Sequence, residues 1–220
     1  MLFGALVFLT APFVHASPRF AARLFEDFAR SEWESRLDLA QAAARTDSVE
    51  RAALYMVHAE DETRHTRMFK KRAGELDARY GGSARVEAQV VPSGLFERLG
   101  ELDFLAFVHH GETRALEELE ARCTILRASG DLRSLDVLEA ILVDERRHAS
   151  YTLAMLVELV GPREARQRVR QQQVREAGRL FRGRGLALVR PLLALGLHAL
   201  YLLAGPLLAL ATLASRTSRR

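Results

Sequence analysis

One pentapeptide pattern, Asp-Glu-x-Arg-His, occurs twice in this 220-residue chain, as Asp61-Glu62-Thr63-Arg64-His65 and as Asp144-Glu145-Arg146-Arg147-His148. Glu and His three positions apart share one face of an α-helix about a turn from each other, so each copy can aim a carboxylate and an imidazole at one point. A lone carboxylate precedes each copy at a matching distance: Glu32 lies 30 residues before Glu62, and Glu112 lies 33 residues before Glu145. The chain therefore reads as two copies of one unit, in which a helix with a single Glu turns into a returning helix with the pentapeptide.

Helical phase puts all of these groups on apolar faces. The stripes are Phe25, Phe28, Glu32, Leu39; then Leu54, His58, Glu62, His65, Phe69; then Leu105, Val108, Glu112, Ala115, Leu116, Leu119; and Leu138, Ile141, Leu142, Glu145, His148, Ala149, Thr152. Glu34 is the rival on the first helix, about 200° round from Glu32. Four carboxylates buried with two neutral imidazoles carry a formal charge of about −4, which two divalent cations cancel; without ions, the carboxylates repel one another and take up protons. Carboxylates plus imidazole, with no thiolate, suit iron or manganese and argue against structural zinc. The plainer alternative is a bundle whose interior charges pair with Arg36, Arg64 or Arg147 and bind nothing.

With these residues in register, the stretch from about 20 to 160 resembles the ferritin-like superfamily of di-iron carboxylate proteins, which includes rubrerythrins, bacterioferritins and oxygen-activating hydroxylases. The resemblance implies an all-α fold, a four-helix bundle with one long crossover. It implies two iron ions, manganese being the alternative, with Glu62 and Glu145 bridging, Glu32 and Glu112 terminal, and His65 and His148 as one histidine per ion. The full motif is similar to that of di-iron monooxygenases, where the Asp orients an imidazole; Asp61 and Asp144 take that place here, with Arg64 and Arg147 beside them. Whether each Asp serves the histidine of its own helix or of the other stays open. Rubrerythrins carry a further Glu three residues after the third-helix ligand, where this chain has Ala115, and no rubredoxin-like Cys pairs are present. Tyr55, His58 and His109 are candidate pocket groups around the ions.

The connection from Ala73 to Glu101, with Gly74, Gly81, Gly82, Pro92 and Gly94, suits the long crossover, whereas Ala44 to Ser48 and Ser129 to Asp131 read as tight turns and Gly130 as a helix stop. Residues 19–160 are thus expected to form the bundle. Residues 161–185 read as a basic amphipathic juxtamembrane helix: from Pro162 to Arg190 nine Arg face only Glu164 and Glu176. Residues 186–214 read as a transmembrane helix or a hairpin broken at Gly205-Pro206, since Pro191 to Ala214 is 24 residues without a formal charge. His198 within it is read as a tolerated polar residue, and residues 215–220 form a basic tail. The arginine balance favours the bundle on the cytoplasmic side of the membrane. The apolar segment 1–18 reads as a membrane-apposed helix, the alternative being a signal peptide. A single cysteine, Cys123, excludes an internal disulfide and suits a core position.

The expected function is a membrane-anchored di-iron oxidoreductase that uses dioxygen and an unidentified electron donor on a lipid-like or quinone-like substrate. The alternatives are iron oxidation or sequestration at the membrane and an inactive adaptor. The bilayer is the expected partner, pairing into a homodimer stays open, and the basic stretch lacks the interleaved aromatics of a nucleic-acid site.

Overall fold

Where the turn signals stop, long amphipathic helices form. The computed structural model describes residues 14, 15, 17–80 and 93–180. Its long helices are α1 (Pro18–Arg45), α2 (Val49–Leu76), α4 (Glu101–Ser129) and α5 (Leu132–Leu180), with a short α3 (Leu95–Leu99) ahead of α4. A 3-10 turn, Ala78–Tyr80, follows α2. Every regular element among the described residues is helical. By its internal contacts the chain divides after Gln172, and the candidate ligands all lie in the first unit.

Local chemistry sets the ends. Ser48 caps α2 by accepting from the Arg51 amide at 3.2 Å, and Asp131 caps α5 by accepting from the Ser134 amide at 3.1 Å. Gly130 stops α4 in the left-handed conformation (φ 77°) that glycine adopts without strain. Gly161 (φ 78°, ψ 163°) breaks α5, and Pro162 restarts it at a position where a missing N–H costs nothing. The turn between α1 and α2 is tied to the start of α4 through Glu101, which accepts from Thr46 at 2.6 Å, from Arg51 at 2.8 and 2.9 Å, and from Tyr55 at 3.2 Å.

Two apolar cores, each drawn from all four long helices, lie at different levels of the bundle. One gathers Phe25, Ala29, Phe69, Ala73, Leu119, Leu126, Leu138 and Ile141; the other gathers Leu39, Ala42, Tyr55, Ala59, Phe104, Leu105, Met155 and Leu156. Along each helix the candidate ligands fall between a residue of one core and a residue of the other: Ala29, Glu32, Leu39; Ala59, Glu62, Phe69; Val108, Glu112, Leu119; Leu142, Glu145, Met155. A polar layer is thus held rigid between two close-packed ones.

The structure corrects two details. Leu54, expected on the inner stripe of α2, is 41% exposed, and the fully buried Tyr55 takes its place because its ring packs edge-on against Phe96 and Phe104. The crossover begins later than the glycines suggested, since α2 runs on to Leu76. Cys123 is buried and unpaired in the first of the two cores. The expected segment 186–214, the basic tail and residues 1–13 lie outside the described residues; no described helix is long and apolar enough to cross a membrane.

Candidate metal centre

Two overlapping clusters of metal-ligating side chains form in the polar layer: Glu32, Glu62, His65 and Glu145, and His58, Glu62, Glu112 and His148, each with ligand atoms within 4.8 Å of one another. Glu62 and Glu145 face both histidines. Glu62 puts Oε2 3.8 Å from His65 Nδ1 and Oε1 4.0 Å from His148 Nδ1, and Glu145 puts Oε1 3.1 Å from His65 Nδ1 and Oε2 3.7 Å from His148 Nδ1. Glu32 reaches only the His65 side, with Oε2 3.7 Å from Nδ1. Glu112 reaches the other side, where its Oε1 is 3.4 Å from His58 Nε2. The rival Glu34 is exposed, as its angular offset on α1 requires.

The outer nitrogens of the motif histidines are engaged crosswise. His65 Nε2 donates to Asp144 at 3.2 Å, and His148 Nε2 donates to Asp61 at 3.1 Å, so each Asp serves the histidine of the other helix. Arg64 bridges Asp61 and Asp144 at 2.7 and 2.5 Å; Arg147 bridges the same pair, contacting Asp144 at 2.9 Å. These guanidiniums bond the aspartates, and Arg36 bonds Thr63 at 3.1 Å and stacks over Trp33. Of the interior charges the aspartates thus pair with Arg64 and Arg147, whereas among the described residues no ion pair joins Arg36, Arg64 or Arg147 to Glu32, Glu62, Glu112 or Glu145.

What remains unsatisfied marks where ions fit. Glu62 Oε2 and His148 Nδ1 are buried atoms with no hydrogen-bond partner, and Glu145 Oε1 and His65 Nδ1, 3.1 Å apart, have no partner but each other. Orphaned buried polar atoms are rare because each costs about 1–3 kcal/mol. Here the donor set, hard oxygens plus imidazole nitrogens, matches a pair of iron or manganese ions. Without metal, protons do the compensating. Burial, reinforced by Glu32 and Glu145, pushes the Glu62 carboxyl well above its ordinary range, and burial with Glu145 beside it does the same for Glu112. Burial would also raise Glu145, but Glu112, His148 and His65 beside it hold it well below the ordinary range. Burial disfavours charge on His65, yet Glu145 and Glu32 outweigh it and raise its pKa to about 10.

The other candidates separate. His58 lies inside the centre, with Nε2 2.8 Å from Glu62 Oε1 and its ring stacked on that of His148. Tyr55 turns its hydroxyl away to Glu101, and His109 is half-buried with Nδ1 donating to the Ala149 carbonyl at 2.9 Å. Tyr151 is a residue the sequence reading missed; its hydroxyl meets His58 Nδ1 at 2.6 Å. The available signal was its place three residues after His148, on the inward stripe of α5.

A cavity of about 300 Å³ between α1 and α4 reaches Glu32, Glu62, Glu112 and Glu145. Its α4 wall carries Phe104, Phe107, Val108, Gly111 and Ala115 together with Arg114; its α1 wall carries Ser31, Glu34, Ser35, Asp38 and Leu39. A Cβ at Gly111 would meet nothing within 4 Å. A scan against protein-family models finds no match, and searches of curated proteins and of solved structures find none either.

Proposed function

We propose that the chain is a ferritin-like di-iron carboxylate protein that uses dioxygen to oxidise an apolar substrate, lipid-like or quinone-like, anchored at a bilayer by residues 186–214. The observation that carries this reading is that two buried carboxylates, Glu62 and Glu145, each face both histidines, with Glu62 Oε2 and His148 Nδ1 left without a hydrogen-bond partner. Glu62 and Glu145 would bridge the ions, Glu32 and His65 would complete one, and Glu112 and His148 the other. Two iron ions held there would supply the electrons that dioxygen accepts. The protein's own part is positional. The aspartates hold the imidazoles in place, the two apolar cores pack on either side of the polar layer, and Phe104, Phe107, Val108 and Ala115 offer apolar surface to a substrate beside the glutamates.

A second reading, iron oxidation or sequestration, draws support from Glu34 and Asp38 on the α1 wall, which would attract aqueous cations. The test is to reduce the iron-loaded full-length protein, expose it to dioxygen and assay both metal and products. Retention of both ions with an oxidised, membrane-extractable product supports the oxidoreductase. Fe(II) consumed in large excess and deposited as ferric mineral, with no organic product, supports iron handling.

A further inference from the structure

We propose that His58 is a seventh ligand, its Nε2 binding the ion shared by Glu112 and His148, so that the two ions of the centre are chemically inequivalent. The inference rests on the dinuclear reading above and goes beyond it by adding a ligand to one ion only. His58 Nε2 lies 2.8 Å from Glu62 Oε1 and 3.4 Å from Glu112 Oε1, and these atoms with one from His148 form a single cluster within 4.8 Å. His58 is 1% exposed, so its inner nitrogen has no water to bond.

His58 is also built like the two motif histidines. A metal-binding imidazole turns one nitrogen to the ion and engages the other with a fixed outer partner, which sets tautomer and ring orientation. His65 has Asp144 in that role, His148 has Asp61, and His58 has the Tyr151 hydroxyl at 2.6 Å from Nδ1. With Nδ1 engaged, Nε2 is the atom left facing the carboxylates. The stacking of His58 on His148, with ring centres 3.6 Å apart, brings both imidazoles to the same side of the centre.

The repeat shows why only one ion gains this ligand. His58 precedes Glu62 by four residues, and the position four before Glu145 is Ile141, which is buried in the apolar core. Glu32 and His65 therefore serve an ion with no second imidazole in its cluster among the described residues. The cavity is lined by both Glu32 and Glu112, so the extra imidazole, and not access, would distinguish the two ions.

The test uses the full chain in detergent and Mn(II) as the probe, with free Mn(II) followed by electron paramagnetic resonance. Wild-type protein is expected to bind two Mn(II) in unequal steps, and His58→Leu to weaken one step by at least about tenfold while leaving the other unchanged. Tyr151→Phe should weaken the same step by less. Circular dichroism checks that the variants keep their helices. A crystal structure of Mn(II)-loaded wild-type protein gives an independent reading, with His58 Nε2 expected about 2.2 Å from one ion. Unchanged binding by a folded His58→Leu, or an Nε2 beyond bonding distance in the loaded wild type, overturns the inference alone. Wild-type protein that binds no Mn(II) overturns the dinuclear reading with it.

Discussion

Loading the centre with two divalent ions should expel protons at pH 7, because carboxyls and imidazolium must be deprotonated before they ligate. His65, raised to about 10, holds a proton on Nδ1 facing Glu145 and contributes about one. Glu62 and Glu112, both shifted upward by burial and neighbouring carboxylates, add to that release. Glu145, held well below its ordinary range by Glu112, His148 and His65, does not. Each proton displaced makes overall affinity tenfold stronger per pH unit, so the His65 proton alone should make the pair bind about tenfold more tightly at pH 7 than at pH 6. Calorimetric titration with Mn(II) in two buffers of different ionisation enthalpy reads the proton number directly. Glu112→Gln should lower it. A release near zero in the wild type, or unchanged release in Glu112→Gln, would show that these groups are not the ligands.

Two further outcomes follow from the same charges. In the metal-free protein the raised pKa of His65 contributes stability that is complete below 6.5 and lost as pH rises toward about 10; denaturant unfolding should show a loss of about 2–3 kcal/mol between pH 7 and 9 from this group, and the loaded protein should not show it. Asp144→Ala removes the outer partner of His65 and one anchor of Arg64 and Arg147; equilibrium dialysis should find metal affinity reduced about 10–100-fold yet both ions bound at saturation, and affinity equal to wild type would refute an orienting role.

The convergence of the two pentapeptides was legible in the sequence because it rests on local spacing: a Glu and a His three apart share a helix face whatever surrounds them. The same phase argument separates Glu32, which faces His65, from Glu34, which is exposed. Features that depend on how helices pack were beyond it. Leu54 and Tyr55 are four and three residues before His58 and fit the inner stripe of α2 equally well; the aromatic pocket of Phe96 and Phe104 decides for Tyr55. The crosswise pairing of Asp61 with His148, 87 residues away, needs the spacing between α2 and α5. His58 could be placed near the ions by its phase, but its outer partner Tyr151 lies 93 residues on and appears only when α2 and α5 are brought together.

The account stands or falls on whether the polar layer holds a pair of ions, and metal analysis of purified full-length protein measures that directly. The prediction is about two iron or manganese ions per folded chain, with most of both lost in Glu145→Ala because that carboxylate faces both histidines. Stoichiometric zinc alone, no metal in the wild type after reconstitution with Fe(II), or full retention in Glu145→Ala would contradict it.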